Sequence, residues 1–168
     1  PHGSYDPPPE FLPQAAHAQG PPTAGQAPHQ FLFVVERSSA MKRSEAVTLS
    51  TVHQLLATGA YGVMRRGDIF GIWTFDREVY DKKFPPQVWV PEVSGALAGS
   101  AAQFLKGEKY SWAAKLDPAV ARFVQTMKAA PAMTVFLITD GSEVLFGTPF
   151  DLEISTILVQ HAGEMAKE

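Results

Sequence analysis

Three carboxylates fall at the ends of three apolar runs. Phe31-Leu32-Phe33-Val34-Val35 stops at Glu36, Ile69-Phe70-Gly71-Ile72-Trp73-Thr74-Phe75 stops at Asp76, and Met133-Thr134-Val135-Phe136-Leu137-Ile138-Thr139 stops at Asp140. A short, unbroken apolar run is the pattern of a strand buried on both faces. In open parallel sheets, ligands gather beyond the carboxyl ends of such strands. Acids at three strand ends therefore converge on one rim. There, carboxylate oxygens can hold a hard divalent cation, accept hydrogen bonds from a partner, or accept a phosphoryl group. Ser38 and Ser39 follow Glu36 closely and add hydroxyls to the same place.

Other chemistries are poorly supplied. His2, His17, His29, His53 and His161 are scattered, with no zinc-ligand spacing. There is no cysteine, which excludes disulfides and thiolate metal sites. No Gly-x-Gly-x-x-Gly follows a strand, and neither a phosphate-binding Gly-Lys-Ser/Thr loop nor a Gly-x-Ser-x-Gly elbow occurs. A phosphoryl-accepting acid wants a second carboxylate and a lysine close by, and Glu36-Arg37-Ser38-Ser39-Ala40 has neither. A hydrolase or phosphotransferase using the strand-end acids is thus the least supported of the three chemistries.

The formal net charge of −3 argues against a nucleic-acid partner. The basic pairs Lys42-Arg43, Arg65-Arg66 and Lys82-Lys83 read as solvated turns or helix ends, because no aromatics interleave with them in any one segment. No apolar run approaches the roughly 20 residues needed to cross a bilayer.

The positioning elements follow from periodicity. Leu49, Val52, Leu55 and Leu56 mark one face of a helix over about 42–58, with Gly59 as its stop. Val93, Leu97, Ala101 and Phe104 mark a second helix over 92–105. Asp117-Pro118 reads as a cap and first position for a third, whose inner face is Val120, Phe123, Val124 and Met127. A fourth is expected from Asp151, with Ile154, Ile157, Leu158, His161 and Met165 inward. Glu78 to Phe84 carries charges and meets Pro85-Pro86, which predicts an exposed edge strand ending there. Buried strands alternating with amphipathic helices specify an α/β fold: a three-layer, doubly wound, Rossmann-like and mostly parallel sheet. Residues 1–28 hold eight of the 14 prolines and read as a proline-rich linker or tail, leaving 29–168 as the domain.

Taken in order, FVVERSSAM (Phe33 to Met41), Gly67-Asp68 through Phe75-Asp76, and VFLITDG (Val135 to Gly141) resemble the first, second and fourth strands of von Willebrand factor A (vWA) domains. In that family an Asp-x-Ser-x-Ser loop, a threonine of a second loop and the aspartate after the fourth strand hold a divalent cation, and a partner carboxylate often completes its shell. By position, the resemblance implies Glu36, Ser38 and Asp140 as ligands for magnesium or calcium. The pattern is degraded: Glu36 stands for the first aspartate, Ala40 for the second serine, and the Gly107–Ser111 stretch has no threonine, with Ser111 as the substitute. Glutamate carries its carboxylate roughly 1.5 Å farther out, a large displacement for magnesium's near-ideal octahedron and a smaller one for calcium's looser shell.

The resemblance implies a non-enzymatic module that binds a protein partner through loops bearing Glu36, Ser38, Ser39, Asp76, Ser111 and Asp140, with no required cofactor. The alternative is a magnesium- or calcium-dependent adhesion-type domain. Trp89 and Trp112 are candidates either for partner anchors or for packing over the sheet, and Tyr110 and Phe146 flank the same face. The family's usual two last strands have no counterpart run here. The sheet is therefore expected to have four strands and an open edge beside 133–139, completed by a longer chain, a second chain or an oligomer.

Overall fold

The computed structural model describes residues 27–130 and 132–141. The expected N-terminal arm up to residue 26, the helix from Asp151, His161 and Phe146 lie outside them. Four strands, β1 (Gln30–Glu36), β2 (Ile69–Phe75), β3 (Val79–Val88) and β4 (Met133–Ile138), form one sheet in the order β3-β2-β1-β4. β1 runs parallel to both β2 and β4, and β3 runs antiparallel at one edge. This is the mostly parallel α/β sheet expected, with the charged run at its edge.

Side-chain alternation splits the core in two. Phe31, Phe33 and Val35 of β1 face α1 (Glu45–Ala57) and α3 (Ser94–Lys106), while Leu32 and Val34 face α4 (Leu116–Ala129). Helices thus cover both faces. Burying a side chain such as Phe33 or Phe70, both fully enclosed, contributes about 1.5–3 kcal/mol. Among the described residues, no helix is long and apolar enough to cross a membrane.

Three local features differ from expectation. β3 does not stop at Pro85-Pro86 but continues to Val88. Phe84 pairs with Ile72 and Gln87 with Phe70, so both prolines fall in a bulge and cost no ladder hydrogen bond. α4 begins at Leu116, before Asp117-Pro118, and has no side-chain cap. After α1, the single turn α2 (Gly59–Gly62) is left-handed, with φ of 61° at Gly59, 51° at Ala60, 56° at Tyr61 and 88° at Gly62. It closes through Met64 N–H to the Gly59 carbonyl at 2.8 Å. Trp89 plugs the floor of this turn. It is buried and donates Nε1–H to the Leu56 carbonyl at 2.9 Å, so of the two readings for this tryptophan the packed one holds.

Candidate functional site

Parallel register brings the strand ends level. Glu36 pairs with Phe75, and Val35 with Ile138. Glu36 therefore stands beside Thr139 on one side, and Arg37 beside Asp76 on the other. The Arg37 N–H extends the ladder one step by donating to the Phe75 carbonyl at 2.8 Å. All of these groups lie at one rim of the sheet.

Glu36 is almost fully buried. Its carboxylate accepts from the Ser38 hydroxyl, from the Thr139 hydroxyl and, at 3.3 Å, from the Asp140 N–H. Ser38, itself buried, accepts from Met41 N–H at 3.3 Å and so begins the short helical turn Ala40–Ser44. Gly141 N–H donates to Thr139 at 3.3 Å. Glu36, Ser38 and the main chain of Asp140 thus meet, with Thr139 as an unforeseen fourth member, while the Asp140 side chain is exposed.

Asp76 joins a second network beside the first. Its Oδ2 accepts from Arg37 Nε at 3.1 Å and Nη2 at 3.0 Å. Its Oδ1 accepts from Glu78 N–H at 3.1 Å and from the Tyr80 hydroxyl at 3.4 Å. The Arg37 guanidinium also donates Nη1–H to Glu108, which accepts from Thr74 at 3.2 Å and from Lys83 at 3.3 Å. The Tyr80 ring lies 3.9 Å from the guanidinium carbon. Burial alone would lower the basicity of Arg37, but the hydrogen bonds to Glu108 and Asp76 outweigh it and raise the pKa above the usual arginine range. Arg37 is therefore a fixed cation of this rim.

The other candidates sit at the surface. Ser39 is exposed and donates its N–H to the Trp112 carbonyl at 2.9 Å, as Ser38 and Trp112 form an isolated parallel bridge. Ser111 is exposed beside Trp112, which is 49% exposed and has the Arg77 guanidinium 4.0 Å from its ring centre. Sequence reasoning missed Arg37, Thr139 and Glu108. Thr139 directly precedes Asp140, and Glu108 lies between Gly107 and Ser111, so both neighbour residues that the resemblance points to.

A magnesium ion needs six oxygens near 2.0–2.1 Å. Here the Glu36 carboxylate and the Ser38 and Thr139 hydroxyls converge, the Asp140 side chain is exposed beside them, Ala40 contributes no oxygen, and Glu36 already accepts three donors. Among the described residues, no group of three or more His, Cys, Asp or Glu gathers at ligand spacing.

Tyr110 is partly buried beside this rim. Burial first, then the negative charges of Glu45 and Glu108, raise its pKa above the ordinary phenol range. A raised folded-state pKa means that the unfolded chain releases this proton first. Stability should therefore decline as pH climbs past the ordinary tyrosine pKa. An alkaline titration followed by phenolate absorbance should show a tyrosine ionising above that range, and Tyr110→Phe should remove it.

No family model matches the chain, and no curated protein matches it. Among solved structures, the chain is similar to a von Willebrand factor type A protein from Catenulispora acidiphila, with 13% identity and a TM-score of 0.46. That match covers 79% of this chain and 30% of the other.

Proposed function

We propose that this chain is a non-enzymatic, vWA-type module that docks a protein partner on its strand-end rim without a divalent cation. One observation carries the reading: the rim's buried acids are spent internally. Glu36 is closed by Ser38, Thr139 and the Asp140 N–H, while Asp76 and Glu108 share Arg37. A cation entering beside Glu36 would compete with these donors close to a permanent positive charge. What remains accessible is a set of loops carrying Ser39, Arg77, Ser111 and Trp112, held in place by the network beneath them.

Titration calorimetry of the full chain with magnesium and with calcium tests the cation. No saturable heat is expected from either. A clear one-to-one isotherm abolished by Asp140→Ala would instead establish the metal-dependent adhesion alternative. The double variant Glu36→Asp/Ala40→Ser restores the shorter acid and the missing hydroxyl of the resembled pattern, and should gain magnesium binding that the parent chain lacks. Turnover of a generic phosphate ester that disappears in Glu36→Gln would favour the hydrolase reading.

A further inference from the structure

The outer surface of the rim has a different character from its buried acids. Its loops, 37–44, 76–78, 106–115 and 139–141, expose six cations, Lys42, Arg43, Arg77, Lys106, Lys109 and Lys115, against two acids, Glu78 and Asp140, with Lys42 already paired to the neighbouring Glu45. That excess of positive charge stands on a chain whose net charge is −3. Aromatics accompany the cations. Arg77 lies over Trp112 at 4.0 Å, and Lys42 lies 5.3 Å from the ring centre of Tyr110. These pairs come from separate segments, joined by the Ser38–Trp112 bridge and by Lys115 N–H donating to the Asp76 carbonyl at 2.9 Å.

We infer that this rim binds an acidic peptide segment of a partner protein, with the Arg77–Trp112 pair as its centre. The inference rests on the docking reading above and adds the chemistry of the partner. A guanidinium over a ring uses the π face and needs none of its five N–H donors for that contact, so they remain for a carboxylate. Among the described residues Arg77 has no carboxylate partner. Half-exposed Trp112 supplies the apolar contact on which interface energy concentrates. Net negative charge on the whole chain disfavours a long polyanion, whose binding depends on summed phosphate contacts. A short acidic segment meets only the local positive patch.

Fluorescence anisotropy of the full chain with a fluorescein-labelled glutamate-rich peptide tests this. Saturable binding is expected, weakened by salt and weakened about tenfold by Arg77→Gln or Trp112→Ala. Arg65→Gln, the same charge change at the opposite end of the sheet, should leave it unaltered. Equal binding of the glutamine version of the peptide, an equal loss in Arg65→Gln, or tighter binding of oligothymidylate would each overturn the inference. Selecting a random displayed-peptide library on the immobilised chain separates this failure from that of the docking reading. Selected peptides that are not acidic, yet are lost with the Arg77→Gln/Trp112→Ala double variant, leave rim docking standing and overturn the acidic partner. Selected peptides that the double variant retains overturn both.

Discussion

Arg37→Met should destabilise the fold by about 3–5 kcal/mol, the range for removing one partner of a buried ion pair. The side chains of Arg37, Asp76 and Glu108 are only 10%, 0% and 8% exposed, so solvent cannot replace the lost donors. Asp76 would keep the Glu78 N–H and the Tyr80 hydroxyl but lose its only ionic partner among the described residues. Glu108 would keep Thr74 and Lys83, which places the expected loss toward the lower end of the range. Methionine preserves most of the side-chain volume, so the effect reports stranded charge rather than a cavity. In a domain of this size the change corresponds to a fall in melting temperature of roughly 10 °C, measurable by circular dichroism. Neutralising the stranded acids as well, in Arg37→Met/Asp76→Asn/Glu108→Gln, should recover part of it. A loss below about 1 kcal/mol in the single variant, the value typical of an exposed pair, would mean that the network contributes little.

Gly59→Ala carries the second large effect, for two separable reasons. Gly59 has φ of 61°, where a side chain costs about 1–2 kcal/mol. A methyl group there would also lie 2.7 Å and 2.8 Å from two atoms of the Trp89 indole. That ring cannot easily retreat, because it is buried and its Nε1–H is held by the Leu56 carbonyl. Overpacking of this kind costs about 1–3 kcal/mol, so the sum is about 2–5 kcal/mol. A double-mutant cycle with Trp89→Phe separates the terms. The smaller ring lacks the clashing atoms, so Gly59→Ala should cost less in the Trp89→Phe background, retaining only the backbone contribution. Equal cost in both backgrounds would show that the indole contact is not the cause. Chemical denaturation measures all four corners of the cycle.

Much of the architecture can be read along the chain because it is local. The apolar runs beginning at Phe31, Ile69 and Met133 all form strands, buried throughout in β1 but only half-buried in β4 at the end of the described sheet, and the helical faces of α1, α3 and α4 repeat every three to four residues. The charged run through Asp81, Lys82 and Lys83 belongs at an edge, where β3 lies. The prolines after it did not end the strand, because a bulge removes the need for their missing donors. The left-handed turn at Gly59–Gly62 leaves a weaker trace. Its two glycines suggest a break, but Ala60 and Tyr61 adopt positive φ only because Thr58 and Met64 close the turn around them.

Apolar runs that each stop at an acid, alternating with helices, already place three carboxylates along one rim. Tertiary structure alone decided which acid meets which donor. Glu36 takes a hydroxyl 103 residues away, and Arg37 chooses carboxylates 39 and 71 residues away. It also decided that Trp89 goes inside while Trp112 stays out under Arg77. The physical reason is range. Burial periodicity is written in neighbouring residues, whereas a hydrogen bond between side chains is fixed within a few tenths of an ångström by strand register and rotamer, and these exist only once the sheet has formed.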